Sequence, residues 1–329
     1  GILYERNENG EIDTLLFCPP AKTGELTVAK EILYVEQGAF VNTQLTKISF
    51  EEYPEDHENY GQPLLELGRG VTATGKTSIP AAGYAVFTTS KKITINLPSH
   101  LKRIGIRAFY KVNGSGSTIN FNMDAKLERV ECRAFDECTG VTTLRLPAFD
   151  TVGLATFYNM KKATSISWAD GGNLTAIPKQ MFYGCAALKS FEVPKTVKTI
   201  ESNAFVSCRA MADLTFEEGS QLEAIMDSAF ANSGIVNFVM PDTVTGMGFY
   251  VFQNCHKMKN LTISKNLSVY PEFMTQWCYS LENIFISNDS PYFKSVDGVL
   301  YDAAQTIIYC FPAAKDPTGF KLPDTLITI

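Results

Sequence analysis

A phenylalanine returns along this chain at a nearly fixed interval, and each time an aliphatic residue or Met stands five positions before it. The pairs are Val35/Phe40, Ile104/Phe109, Val130/Phe135, Val152/Phe157, Ile177/Phe182, Ile200/Phe205, Ile225/Phe230 and Met247/Phe252. From Phe109 to Phe252 the steps are 26, 22, 25, 23, 25 and 22 residues. Such self-similarity marks a repeat architecture, in which one short unit cannot bury its own apolar face and must stack on its neighbours. A ninth copy continues at Tyr270 with Thr275 in the Phe position. Between Phe40 and Phe109 the spacing predicts three periods, with Phe87 on the grid and Gln62 to Leu67 as a degraded copy.

Within each copy the Phe is followed by Cys or a small polar residue, then by an apolar run of the form L-x-x-I-x-V. Leu188, Phe191, Val193 and the closing Pro194 show it best. The alternation places the last two apolar residues on one face of a strand, and Pro ends the strand because it has no N–H for a ladder. A second apolar pair, such as Val197 with Ile200, precedes the next Phe. Two short strands per repeat follow. Stacked copies give parallel sheets joined by right-handed crossovers, with the Phe residues in an internal column. The predicted fold class is a right-handed repeat solenoid, mainly short parallel β-strands with turns and short helical segments.

One solenoid is expected over 1–329, in four parts: an N-terminal hairpin cap (1–34), degenerate repeats (35–92), regular repeats (93–286), and a C-terminal hairpin with a partial repeat (287–329). The two ends resemble one another. Ile2-Leu3-Tyr4 followed by Leu15 to Gly24 parallels Val299-Leu300-Tyr301 followed by Ile307 to Lys315. Each has a polar, turn-prone middle, so each reads as a hairpin. A terminal repeat must cover an open apolar face, which gives the first hairpin its role as a cap. Gly1 in place of Met makes the sequence read as a trimmed chain, and an array that stops at Ile329 inside a repeat fits either truncation or a half-repeat used as a closing strand.

The order I-x-x-x-A-F-x-x-C-x-x-L-x-x-I-x-[IVL]-P-x-x-V-x-x-I resembles the BspA-like class of bacterial leucine-rich repeats. Ile200 to Phe205 and Cys208, then Leu214 and Phe216, form a close copy. The likeness covers residues 93–286 well, the terminal hairpins reasonably and residues 51–92 poorly. It implies a curved leucine-rich-repeat-like array at the surface of host-associated bacteria, with adhesion or binding of a host protein or glycan as its role. It implies no catalytic residues.

Composition narrows the function classes. With 45% hydrophobic and 19% charged residues the chain suits an ordered fold. Its formal charge of -6 and lack of a basic cluster interleaved with aromatics argue against a nucleic-acid partner. No apolar run is long enough to cross a bilayer, so no membrane insertion is expected, and the chain is expected to be monomeric.

Gly70 to Thr77 matches the phosphate-loop pattern G-x-x-x-x-G-K-[ST], which needs a preceding strand and a following helix. Pro80 and Gly83 interrupt that helix, so the match is expected to be a plain loop and nucleotide enzymology a remote alternative. Cys138, Cys185, Cys208, Cys255 and Cys278 stand three residues after the Phe or its replacement. A column of buried, inert thiols is therefore expected, with Cys18 and Cys310 matching one another in the hairpins and Cys132 off the grid. His57, His100 and His256 occupy unrelated repeat positions, and Glu51-Glu52 and Glu217-Glu218 read as solvated charge. No catalytic residue, metal site or cofactor is expected.

The outward positions of the L-x-x-I-x-V strand are Ser165, Ser190, Asp213, Asn237, Asn260 and Asn283. A neighbouring outward row holds Ser167, Glu192, Thr215, Val239, Thr262 and Phe285. Such rows make an extended hydrogen-bonding surface of the kind on which solenoids bind partners, or else simply a solvated sheet. Trp168, Trp277 and Phe285 are candidate aromatic anchors. The leading expectation is an extracytoplasmic or cell-surface binding module that uses these rows; the alternative is a structural spacer without a ligand.

Overall fold

The structure, a computed structural model, describes residues 1–54, 65–68 and 85–328. They form two compact units, Gly1–Asn173 and Leu174–Ile329, each a β-solenoid. The phosphate-loop match at Gly70 to Thr77, with Pro80, Gly83 and His57, lies outside the described residues.

In the first unit the hairpin of Leu3–Arg6 and Ile12–Phe17 is antiparallel. Its second strand then pairs in parallel with Tyr34–Val35, which opens the array. Parallel pairing continues through Leu65–Leu67, Leu101–Ile104, Leu127–Val130 and Phe149–Val152. A second parallel sheet holds Thr23–Val28, Gln44–Phe50, Thr94–Leu97 and Thr118–Phe121. The expected three periods between Phe40 and Phe109 are two. Phe40 stacks on Phe87 at 5.2 Å, and Phe87 on Phe109 at 5.1 Å. Leu65–Leu67 and Phe87 therefore belong to one rung and not to two. A count of residues cannot separate a long rung from an extra one, because a surface insertion costs a stacked array little.

The column of rings continues through Phe135 and Phe157 at 5.0 and 5.5 Å. The second unit carries its own column, with Phe182, Phe205, Phe230 and Phe252 stacked at 4.9, 5.5 and 5.5 Å. All these rings are fully buried. Thr275 ends the second column, and its hydroxyl meets the Tyr270 hydroxyl at 3.0 Å and the Cys310 thiol at 3.7 Å. Parallel ladders in this unit join Ala176–Ile177, Thr199–Ile200, Ala224–Ile225 and Gly246–Met247 on one side. The end of the unit is an antiparallel meander of Phe293–Val296, Val299–Asp302 and Ile308–Cys310. The second hairpin expected from sequence lies in its last two strands.

Among the described residues no helix forms, so the expected short helical segments are absent and the chain passes each Phe in turns. The reason is repeated in nearly every rung, that of Phe87 apart. The residues two before and two after the column position have positive φ, as in Arg133 (56°) and Glu137 (54°), Asn203 (61°) and Ser207 (62°), or Ser228 (55°) and Asn232 (59°). A left-handed residue every four positions cannot propagate a right-handed helix. It bends the chain tightly around the Phe while the ring's own N–H bonds to the next rung, as Phe205 N–H does to Ala229 O at 2.8 Å. Close backbone approach also fixes the glycine four residues before Phe252. A Cβ on Gly248 would stand 2.4 Å from the Asp227 nitrogen.

Candidate functional site

The outward rows form as the alternation predicts. Inward neighbours Phe191, Leu214, Phe238, Leu261 and Ile284 are all buried, which turns the intervening residues to solvent. Ser165 lies in the first unit, exposed on the strand Ser165–Trp168 and paired in register with Thr143, while Ser167 faces Arg145. Trp168, an expected anchor, packs on Phe149 at 5.4 Å and is half-buried. The other row residues belong to the second unit.

There they fall into two sheets. Ser190 faces Asp213 and Glu192 faces Thr215 in the pair of strands Ser190–Val193 and Asp213–Phe216. Asn237, Asn260 and Asn283 align in a three-stranded sheet, as do Val239, Thr262 and Phe285. Their amides form a ladder: Asn260 Nδ2 donates to Asn237 Oδ1 at 2.7 Å, and Asn283 Nδ2 donates to Asn260 Oδ1 at 3.0 Å. Part of this row's hydrogen-bonding capacity is thus spent within the row.

Between the two sheets the ladder is interrupted. Val236 N–H still reaches Ala212 O at 3.3 Å, but Asp213–Phe216 and Asn237–Val239 belong to different sheets. The interruption coincides with two local features of the sequence. The step from Phe205 to Phe230 is 25 residues, against 22 for the next, so the chain loops out through Glu218, Gly219 and Ser220. The strand also ends in Phe216 where its partner strand has the smaller Val193, and that ring meets Phe238 edge-on at 5.8 Å. The result is a groove of about 610 Å³ on the outward face. Leu214, Phe216, Met240 and Pro241 give it apolar walls; Asp213, Glu217 and Asp242 bring carboxylates, and Thr215 and Asn237 neutral donors and acceptors. Sequence reading identified Asp213, Thr215 and Asn237 but not Glu217 or Asp242, whose signal was the three-residue excess in that repeat.

The carboxylates are not equivalent. Asp242 accepts hydrogen bonds from the hydroxyl of Ser287 and from Asn288 Nδ2 at 3.1 Å, with Lys265 Nζ at 3.8 Å. The Ser287 bond above all holds its carboxyl below the ordinary value, so Asp242 is fixed as an anion. Glu217 accepts from the Lys195 N–H at 2.8 Å. This arrangement can hold a cationic or hydrogen-bond-donating group over an apolar floor. Among the described residues, no group of three His, Cys, Asp or Glu is placed to hold a metal ion. No helix among them is long and apolar enough to cross a membrane.

The thiols line the core. Cys208, Cys255 and Cys278 donate to the carbonyls of Phe182, Phe230 and Phe252, each one rung earlier, at 3.2, 3.1 and 3.0 Å. Burial pushes the Cys138 thiol up to about 12 and that of Cys208 upward, and the contact with the Cys255 thiol, followed by burial, raises that of Cys278. They are poor nucleophiles and poor metal ligands in this state. His100 is also buried, and its desolvation lowers its pKa despite the nearby Glu52 charge. His256 is exposed and stacks on Tyr279 at 5.6 Å.

The BspA type leucine-rich repeat region matches this chain in six copies, over residues 10–121, 112–222 and 215–296. No curated protein matches in sequence. Among solved structures, a leucine-rich repeat protein from Bacteroides ovatus ATCC 8483 has a TM-score of 0.62 at 19% identity, over 88% of this chain and 70% of that one. A leucine rich cell surface protein from Faecalibacterium prausnitzii A2-165 gives a TM-score of 0.40 at 15% identity, over 87% of this chain and 93% of that one. The first of these likenesses bears on the fold alone. Repeat length, buried Phe columns, stacked parallel strands and the family match agree, and this chain belongs to the BspA-type family of leucine-rich repeat proteins.

Proposed function

We propose that this chain is a non-enzymatic binding module, displayed outside the cytoplasm, that recognises a host protein through the outward sheet face of its second unit. The groove beside Asp213, Thr215 and Asn237 carries this reading. A plain solvated sheet offers rows of polar groups without depth. A recess with apolar walls and an anionic rim supplies both area to bury and a sign of charge to match. The partner that fits is an extended segment with basic and apolar side chains. The rest of that unit's outward surface, Ser190, Glu192, Asn260, Asn283, Thr262 and Phe285, then extends contact beyond the groove.

The test is binding of the purified chain to immobilised extracellular-matrix proteins, against the triple variant Asp213→Ala, Thr215→Ala, Asn237→Ala. The expected result is saturable binding by the natural chain and at least about tenfold weaker binding by the variant, with unchanged thermal stability. Equal binding by both would reject the groove as the site. The spacer reading has one observation in its favour, the asparagine ladder, whose amides bond to one another. It expects no saturable partner in the same experiment.

A further inference from the structure

We propose a second binding site, for a neutral glycan, on the turn face of the two rungs that contain Phe252 and Thr275. This face lies on the turns around the column and not on the outward strands. Tyr250 and Phe273, two residues before the column position, stack at 5.3 Å with their planes 8° apart. His256 and Tyr279, four residues after it, stack at 5.6 Å and 5°. Between these positions in each turn stand amides: Gln253 Nε2 donates to Gln276 Oε1 at 2.7 Å, and Asn254 Nδ2 to Asn232 Oδ1 at 3.0 Å. The rings are open to solvent, with Phe273 and Trp277 each 48% exposed and Tyr279 64% exposed.

The backbone supplies an independent reason to look for a ligand. Tyr250, Phe273 and Trp277 have φ of 58°, 60° and 62°, a region that bulky side chains disfavour. At the same turn positions the rungs around Phe205 and Phe230 use Asn203, Ser207, Ser228 and Asn232, which suit that backbone better or are small. The last two rungs keep one such residue, Asn254, and at the other three positions give up that compatibility for large rings left open to water. Backbone strain combined with exposed apolar surface is what a binding role accounts for and folding alone does not.

The chemistry selects the occupant. A pyranose has an apolar C–H face and an edge of hydroxyls; exposed rings match the first, and amides, which both donate and accept, match the second. An acidic sugar or a nucleic acid would call for Lys or Arg between the rings, where this face has Gln and Asn. A second protein surface would have to desolvate that amide ladder at the centre of its contact.

The experiment uses the full chain with Trp168→Phe, so that Trp277 is the sole tryptophan reporter. It is titrated with neutral hexasaccharides of glucose, xylose, mannose and galactose, alongside the substitutions Phe273→Asn and Trp277→Asn made singly in the otherwise natural chain and read by calorimetry. Asn at these positions keeps the left-handed turn, so the fold is retained. The proposal expects a saturable change in Trp277 emission with at least one sugar, and a loss of roughly tenfold or more in affinity in either Asn variant with no fall in thermal midpoint. Absence of any response across the panel overturns it, as does binding that survives both substitutions. Concentration-dependent self-association that either substitution abolishes would also overturn it, by assigning the rings to an interface between copies.

Discussion

The two units share a backbone plan and differ in what they put on its turns. In the first unit the turns around Phe109 and Phe135 are charged, with Arg107, Lys111, Arg133 and Glu137 at the left-handed positions. The carboxylate of Asp136, 2% exposed, receives Arg107 Nε and Arg133 Nη1, each at 3.1 Å, and Arg133 also lies over the Tyr158 ring at 4.4 Å. Glu131 takes Arg103 at 2.7 Å and Arg129 at 2.9 Å. In the second unit the corresponding turns carry Asn203, Ser207, Ser228 and Asn232, then Tyr250, Phe273 and Trp277. The same left-handed backbone therefore accepts a salt-bridge network, neutral amides or exposed rings. The fold is set by the buried column and the strand ladders, and the turns are left to vary, which is where a repeat protein can change its chemistry without changing its shape.

The comparison can be broken from its shared part outward. If the columns do equal work, Phe135→Ala in the first unit and Phe205→Ala in the second should each cost about 3–5 kcal/mol, read from urea denaturation; a large cost in one alone would show that the columns differ. Asp136→Ala strands two guanidinium groups beside an apolar turn and should cost about 2–3 kcal/mol, with no counterpart of that size in the second unit. Asn260→Ala, which cuts the amide ladder at its middle rung, should cost about 1 kcal/mol or less. Phe273→Asn should be neutral or slightly stabilising, since Asn tolerates φ of 60° better than Phe does, and a clear loss of stability would show that the Tyr250 stack outweighs the backbone.

Acid should also separate the units. His100, in the first, is buried with its pKa lowered from 6.5, so the unfolded chain takes up that proton first. The stability it contributes is present above pH 6.5 and is lost as pH falls from there towards its folded value. Asp242, in the second, is lowered from 3.8, and its contribution persists until pH falls below that value and through the folded one. A denaturation series from pH 7 to pH 3 should show the first loss, and His100→Gln should remove it.

The fold was legible because its main cause is periodic. A ring that must stack on the next ring leaves a fixed spacing, and the inward residues of each strand leave an alternation. Three features escaped for physical reasons. The two positive-φ positions per rung are held by residues as different as Arg133, Asn203 and Phe273, so composition does not announce them. The rung of Leu65–Leu67 and Phe87 was counted as two because length alone does not place an insertion. The groove was missed because three extra residues in one repeat look like ordinary variation until the neighbouring strands are seen to part. Nothing in the sequence pattern marks Phe273 and Tyr279, and only their exposure of 48% and 64% separates them from the buried column.

The most direct test of the account is equilibrium binding of the chain to immobilised matrix proteins, with Asp213→Ala, Thr215→Ala, Asn237→Ala measured beside it and thermal midpoints recorded for both. The account predicts saturable binding that the triple variant loses while its midpoint stays within about a degree. Binding of equal strength by the variant, or no saturable binding by the natural chain, would contradict it.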